Sequence, residues 1–234
     1  MKFREQNHTS AAFHKIPLFP LPNVVFFPKV FLPLHIFEER YKTMLIDALH
    51  GNQKIGMILL QAGWERDYFG APPVHQVGCI GKIEAHEKLP QGRFNILLRG
   101  LSRFEIVDFV QEEPYRIARV RLLNDDPLLL ETDQQMSERE AFLNQFLRYL
   151  SDVLGIELEE QKLDRSASLE SVVNQVAATL DIPVMQKQQL LEMPGVAKRY
   201  GIIRGIIDER LHHAATLRNV VRQIKFVPDD PSVN

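Results

Sequence analysis

The side chains that could do chemistry are few, and their spacing suits none of the usual reactions. The single cysteine, Cys79, lies inside VGCIGKI, an apolar run that reads as a buried strand. A thiol placed there behaves as a small core group rather than a nucleophile. Among the eight histidines, His212 and His213 are adjacent. On a helix they point about 100° apart, unlike the i, i+4 pair that clamps zinc. His86 and Glu87 alternate faces of a strand, and the pairs Glu38–Glu39 and Glu159–Glu160 read as solvated charge. The frame Gly51-Asn-Gln-Lys-Ile-Gly56 has the glycine spacing of a phosphate loop. Met57 and Ile58 stand where lysine and a hydroxyl residue are required, and the frame joins a helix to a strand, the reverse of the needed order. There is no G-x-S-x-G, and Ser102 sits in a strand pattern without a marked base. The expectation is a protein without catalytic residues, metal or cofactor, and so not an enzyme.

Binding residues are easier to nominate. The stretch Ala62–Val74 (AGWERDYFGAPPV) has turn-forming Gly63, Gly70, Pro72 and Pro73, with Trp64, Tyr68 and Phe69 between them. Long loops of this kind often carry function. The three aromatics suit a lip that anchors a peptide, or else a satellite cluster folded back over a sheet edge. Phe26 and Phe27, in a proline-rich turn, are a second candidate patch.

The elements that must position these residues begin at Ile16. Pro17, Pro20, Pro22, Pro28 and Pro33 exclude a helix and leave short strands at Lys15–Phe19 and Val30–His35. Phe37, Tyr41, Met44, Leu45, Ala48 and Leu49 then follow a helical period, with Glu38 and Glu39 in the first turn and Gly51 as the C-cap. Lys54–Gln61 reads as a buried strand. Val77–Glu87 and Arg93–Arg99 form a hairpin around Leu89–Gly92, Gly100 makes a bend, and Ser102–Phe109 continues. Tyr115–Leu123 carries Arg116, Arg119 and Arg121, which suggests a solvated edge.

Asp126–Pro127 is polar and turn-rich, which places a domain boundary there. Helices follow. The first starts in a capping box (Ser137, Glu140) with a stripe of Leu143, Phe146, Leu147, Leu150 and Leu154. The second runs from Ser168 with Leu169, Val172, Val173, Val176, Ala177 and Leu180, the third from Pro183 to Met193, and the last from Val196 to Ile224. Gly201 and Gly205 suggest a close helix approach. The expected organisation is a flexible lead-in over 1–12, a β domain over 13–126, a helical domain over 127–226 and a flexible tail over 227–234. The fold class is α+β, a curled, mostly antiparallel sheet followed by a helical bundle with a long C-terminal helix.

Three segments carry a family resemblance. The first is Ile16, Pro17, Leu18, Pro20, Leu21, Val24 and Pro28, followed by Leu32, Pro33, Leu34, Ile36, Phe37, Glu38, Arg40 and Tyr41. The second is Val77, Gly78, Ile83, Pro90, Gly92, Leu98, Gly100, Arg103 and Ile106, and the third Met185, Lys187, Gln188, Leu190, Leu191, Glu192 and Arg199. Together they resemble the N-terminal, substrate-binding domain of Lon protease over about Ile16 to Gln223. The resemblance implies a PUA-like pseudo-barrel. It implies a stand-alone domain, since the ATPase and the serine–lysine peptidase of that family would lie beyond this chain.

The function it implies is non-catalytic recognition of polypeptide, as an adaptor or holdase for unfolded proteins. A protease or chaperone is the candidate partner. The alternative is RNA binding by a PUA-like module, with Arg93, Arg99, Arg103, Arg116, Arg119 and Arg121 gathered on one face. A formal net charge of −2 argues against it, because phosphate contacts need clustered cations. One cysteine, no signal-like N-terminus and no apolar run of roughly 18 residues point to a cytoplasmic protein without a membrane span.

Overall fold

The structure, a computed structural model, describes residues 13–67, 70–125, 132–157 and 167–224. Its contacts group the described residues of Met1–Asp125 and Ala177–Pro194 into one compact unit, and those of Asp126–Val176 and Gly195–Asn234 into a second. A single helical domain over 127–226 is therefore not what forms, because a helical segment returns to the sheet.

The first unit is built on six strands: β1 (Phe13–Leu21), β2 (Phe31–Ile36), β3 (Lys54–Leu59), β4 (Val77–Lys88), β5 (Phe94–Gln111) and β6 (Ile117–Leu123). They lie in the order β2-β5-β4-β3-β1-β6, and β5 also pairs with β6. That extra pairing closes β5, β4, β3, β1 and β6 into a ring, with β2 laid alongside β5 outside it. Only β1 and β3 run parallel. The α1 helix (Glu39–His50) is the link that lets the chain cross between two distant strands. Side chains alternate in and out along each strand. Ile16, Leu18, Ile58, Ile80, Phe104, Ile106, Ala118 and Val120 fill the interior.

The arginines expected on an edge are not on one. β6 is paired on both sides, so its alternation sends Ala118 and Val120 inward and Arg119 and Arg121 outward. Arg119 bonds Asp108 and Arg121 bonds Glu105. Arg116 is buried in the turn before the strand. The bend expected at Gly100 is a bulge within one continuous strand, where the partners step from Ile80–Ser102 to Gly81–Gly100.

Gly100 is demanded by space. A Cβ there would lie 2.1 Å from the carbonyl oxygen of Phe27. The Phe27–Val30 turn is bonded across this point, Lys29 N–H to Gly100 O at 2.9 Å and Gly100 N–H to Val30 O at 2.8 Å. These two bonds hold Lys29 in the left-handed region, at φ 66°.

The α1 helix buries Tyr41, Met44, Leu45 and Ala48, and Phe19 packs on Tyr41 with ring centroids 4.4 Å apart. Phe37 does not join that stripe. The helix starts at Glu39, so Phe37 continues the outward alternation of β2.

Helix α4 (Val184–Glu192) belongs to the first unit because polar side chains tie it to the barrel. Arg103 is 2% exposed and donates to the carbonyls of Leu191 (2.9 Å) and Met193 (3.1 Å), and to Asp125 (2.5 Å). Gln188 donates to the Val77 carbonyl at 2.9 Å.

The second unit holds α2 (Thr132–Leu154), most of α3 (Leu169–Thr179) and α5 (Val196–Ile224). α2 begins before the expected capping box, and its buried face is led by the aromatics Phe142, Phe146 and Tyr149, joined by Leu150, with Leu143 and Leu147 at its margin. Phe142 meets Tyr200 edge-on at 5.0 Å, and Arg210 donates to the Tyr149 hydroxyl at 2.9 Å. On α5 the buried stripe of Ile203, Ile207 and Leu211 stops there, leaving Leu217 and Val221 exposed. A Cβ on Gly201 or Gly205 would meet nothing within 4 Å, so the pair marks no close approach. Among the described residues, no helix is long and apolar enough to cross a membrane.

Two variants test this. Gly100→Ala forces its methyl into backbone and should destabilise the first unit by about 3 kcal/mol in chemical denaturation. Arg103→Met strands two carbonyls and a carboxylate, at a cost of about 3 kcal/mol. Amide hydrogen exchange should then accelerate first in 184–193, with barrel strands still protected. Uniform acceleration would mean that Arg103 does not clasp α4.

Candidate functional site

Two features of the first unit can hold a ligand. The first is the outer face of β2. This strand has β5 on one side and, among the described residues, no strand on the other. Pro33, which cannot donate a ladder bond, is tolerated there for that reason. Alternation turns Phe31, Pro33 and His35 outward, and Phe37 follows. Phe31 is 56% and Phe37 59% exposed, far above what a core aromatic shows. His35 and Phe37 stack at 6.1 Å, and His35 Nδ1 lies 2.9 Å from Asn95 Oδ1 on β5. Leu97, opposite Pro33, continues the apolar strip onto β5. Phe31 and Phe37 stand about 20 Å apart along the strand, enough to contact roughly six extended residues. Such a face offers apolar contact and a partly blunted sheet edge, with no group that could activate a nucleophile.

The second is a cleft of about 260 Å³ beside α1. Its walls come from Pro20 at the end of β1, Arg40 and Tyr41 on α1, Leu60, Gly70–Pro72 and the Glu112–Arg116 turn. Each wall is tied down. Tyr115 donates its hydroxyl to Asp47 at 2.7 Å, Gln111 Nε2 donates to Tyr115 O at 3.0 Å, and Leu18 N–H donates to Arg116 O at 2.8 Å. Asp67 accepts from the N–H groups of Gly70 and Ala71. Burial, with the Asp47 carboxylate, pushes the Tyr115 hydroxyl up to about 12. Arg40 bonds Glu38 at 3.0 Å and lies over the Tyr41 ring. Arg116 is 7% exposed, and burial lowers its proton affinity against the opposing pull of Glu112.

The nominated residues are placed as follows. Trp64 begins a short 3₁₀ turn (Trp64–Asp67) and packs half-buried against the barrel core, so the satellite-cluster alternative describes at least part of its role. Tyr68 and Phe69 lie outside the described residues. Phe26 and Phe27 are 3% and 0% exposed, interior groups with no surface to give a ligand. The Phe27–Val30 turn folds inward across Gly100, and this draws both rings into the core. Cys79 is fully buried, which pushes its thiol far up and suppresses nucleophilic chemistry.

Five of the six arginines of the RNA alternative are buried or already engaged by a carboxylate. Arg103 and Arg116 are buried, while Arg99, Arg119 and Arg121 are engaged by Glu84, Asp108 and Glu105. Sequence reasoning did not nominate Phe31, Phe37 or Arg40 as binding residues, and it named Arg116 only within the RNA alternative. The first two had a readable signal, since FLPLHIF alternates at period two through Phe37. The cleft had none, because its walls are remote in sequence.

Known proteins resemble this chain over most of its length. A family profile described as the ATP-dependent protease La (LON) substrate-binding domain matches residues 15–209. A Lon protease of Anaeromyxobacter dehalogenans is 26% identical over 201 residues, 83% of this chain and 23% of that protein. Lon protease 2 of Myxococcus xanthus is 27% identical, over 83% of this chain and 24% of its own length. The chain thus spans about a quarter of these relatives. Its fold is similar to that of a Lon N-terminal domain protein from Xanthomonas campestris (TM-score 0.58, 20% identity, 81% of this chain, 96% of the other). It is also similar to the N-terminal domain of the Mycobacterium avium complex Lon protease (TM-score 0.61, 15% identity, 85% and 100%). The barrel, the clasped helix and the profile match agree, and the chain belongs to the Lon substrate-binding domain family.

Proposed function

We propose that this protein recognises polypeptide without catalysing its cleavage, and that the outer face of β2 is where it does so. The observation that carries the reading is the aromatic pair Phe31 and Phe37, each more than half exposed, at the start of a strand with one paired edge and just past its end. Exposed aromatics around an apolar strip are the ordinary anchors of peptide contacts. The sheet edge adds backbone bonding to an extended chain, limited at Pro33.

Membership of a substrate-binding family supports the same reading. In it, the protein holds or delivers apolar segments of unfolded proteins, as a holdase or as an adaptor to a protease or chaperone. The buried single thiol fits a reducing compartment such as the cytoplasm. Trp64, with Tyr68 and Phe69, is a second anchor in this proposal.

The test is binding of a reduced, alkylated unfolded polypeptide, followed by fluorescence anisotropy. Phe31→Ser with Phe37→Ser should weaken capture about tenfold while leaving the melting temperature within a degree or two, since both side chains face solvent. Trp64→Ala, Tyr68→Ala and Phe69→Ala together should weaken it to a smaller extent. Unchanged capture by the Phe31/Phe37 variant would remove β2 from the proposal. Capture of single-stranded RNA that collapses with salt would favour the nucleic-acid alternative.

A further inference from the structure

The cleft beside α1 contains an arginine that its surroundings leave without a directly bonded counter-ion. Arg116 is more than nine-tenths buried and lines the cleft. Among the described residues its guanidinium makes no hydrogen bond and no ion pair; the ring of Phe109 lies 5.7 Å from the guanidinium carbon, and Glu112 and Asp67 attract it only through space. A cation held in a partly desolvated cleft gains from a bonded counter-ion. Arg103, more deeply buried in the same unit, has one, with two carbonyls and a carboxylate bonded to it. Arg116 has no such set, and the space its polar end shares is an open cleft rather than packed core.

We propose that this cleft is a carboxylate-binding site, with Arg116 as the anchoring cation and Arg40 as a second one on the wall. The planar guanidinium offers a fork of donors that matches a carboxylate in two parallel bonds. Around it, Pro20, Tyr41, Leu60 and Pro72 give apolar walls for the group that carries the acid. The volume, about 260 Å³, suits one residue of a peptide rather than a large cofactor.

Charges near the mouth shape the specificity. Glu112 and Glu113 are exposed at the rim, Asp67 is close enough for Arg116 to feel its charge, and Glu38 already holds Arg40. These carboxylates disfavour a ligand with several negative groups. They leave one acid, flanked by apolar or basic groups, as the chemistry that fits. Two sources supply it: the C-terminal carboxylate of a polypeptide, or an aspartate or glutamate side chain within one.

Isothermal titration calorimetry with three short peptides on the full chain tests the proposal. The first is acetyl-Ala-Leu-Phe with a free C-terminal carboxylate, the second its C-terminal amide, and the third an amidated peptide whose only carboxylate is a glutamate side chain. At least one acid-bearing peptide should bind ten or more times more tightly than the neutral amide. Which of them does so identifies the source. Arg116→Met should abolish that preference without lowering the melting temperature of the free protein, since it keeps a similar volume and breaks no hydrogen bond or ion pair among the described residues, and Arg116→Lys should retain part of it. Equal binding of all three peptides, binding of none, or an acid preference that survives Arg116→Met would overturn the proposal. The Phe31/Phe37 variant should keep the acid preference, so a failure here is separable from a failure at β2.

Discussion

Everything in the first unit depends on one strand serving two sets of partners. The first half of β5 lies between β2 and β4, and from Arg103 onward it pairs with β6, with β4 still on its other side as far as Glu105. The handover occurs around Gly100 and its bulge, where the backbone of the Phe27–Val30 turn comes so close that no side chain fits. If the strand ran straight with a larger residue there, either the turn or the ring would have to open. The same crossing explains two structural facts. It folds Phe26 and Phe27 inward, and it releases β2 to lie on the outside of the barrel with its aromatic face to solvent.

Polar side chains then determine what is fixed and what is left open. Arg103 and Arg116 sit in the same unit, and both are nearly inaccessible to water. One is surrounded by carbonyl oxygens and a carboxylate and so bonds a distant helical segment to the sheet. The other is presented to a cleft whose walls are held by Asp47, Gln111 and Asp67. Desolvated charges are strong when paired and expensive when not. The contrast between the two arginines separates a structural clasp from the position proposed to take a carboxylate.

Much of the fold was legible because its signals are local. The prolines before Phe31, the hairpin at Leu89–Gly92 and the apolar period of α1 each follow from a few neighbouring residues, and the motifs of the family gave the barrel. Tertiary events escaped. Ring closure turned an expected edge into the doubly paired β6, and the bonds of Arg103 and Gln188 carried α4 back to the sheet. Phe37 was misread because a helical period and a strand period overlap at that residue, and only the start of α1 at Glu39 decides between them. In α2 a leucine stripe hid the stronger aromatic face of Phe142, Phe146 and Tyr149. Exposure was the least legible property of all. Phe26–Phe27 and Phe31–Phe37 are chemically alike in sequence, and only the path of the chain puts one pair inside and the other outside.

The central claim is that β2 presents a polypeptide-binding face on a non-catalytic barrel. Amide hydrogen exchange of the full chain, with and without a saturating unfolded polypeptide that is recovered intact afterwards, addresses it most directly. The account predicts slowed exchange concentrated in 31–37 and in the adjoining part of β5 near Asn95–Leu97, with little change in α2 and α5. Protection confined to the helices, or cleavage of the polypeptide during the incubation, would contradict it.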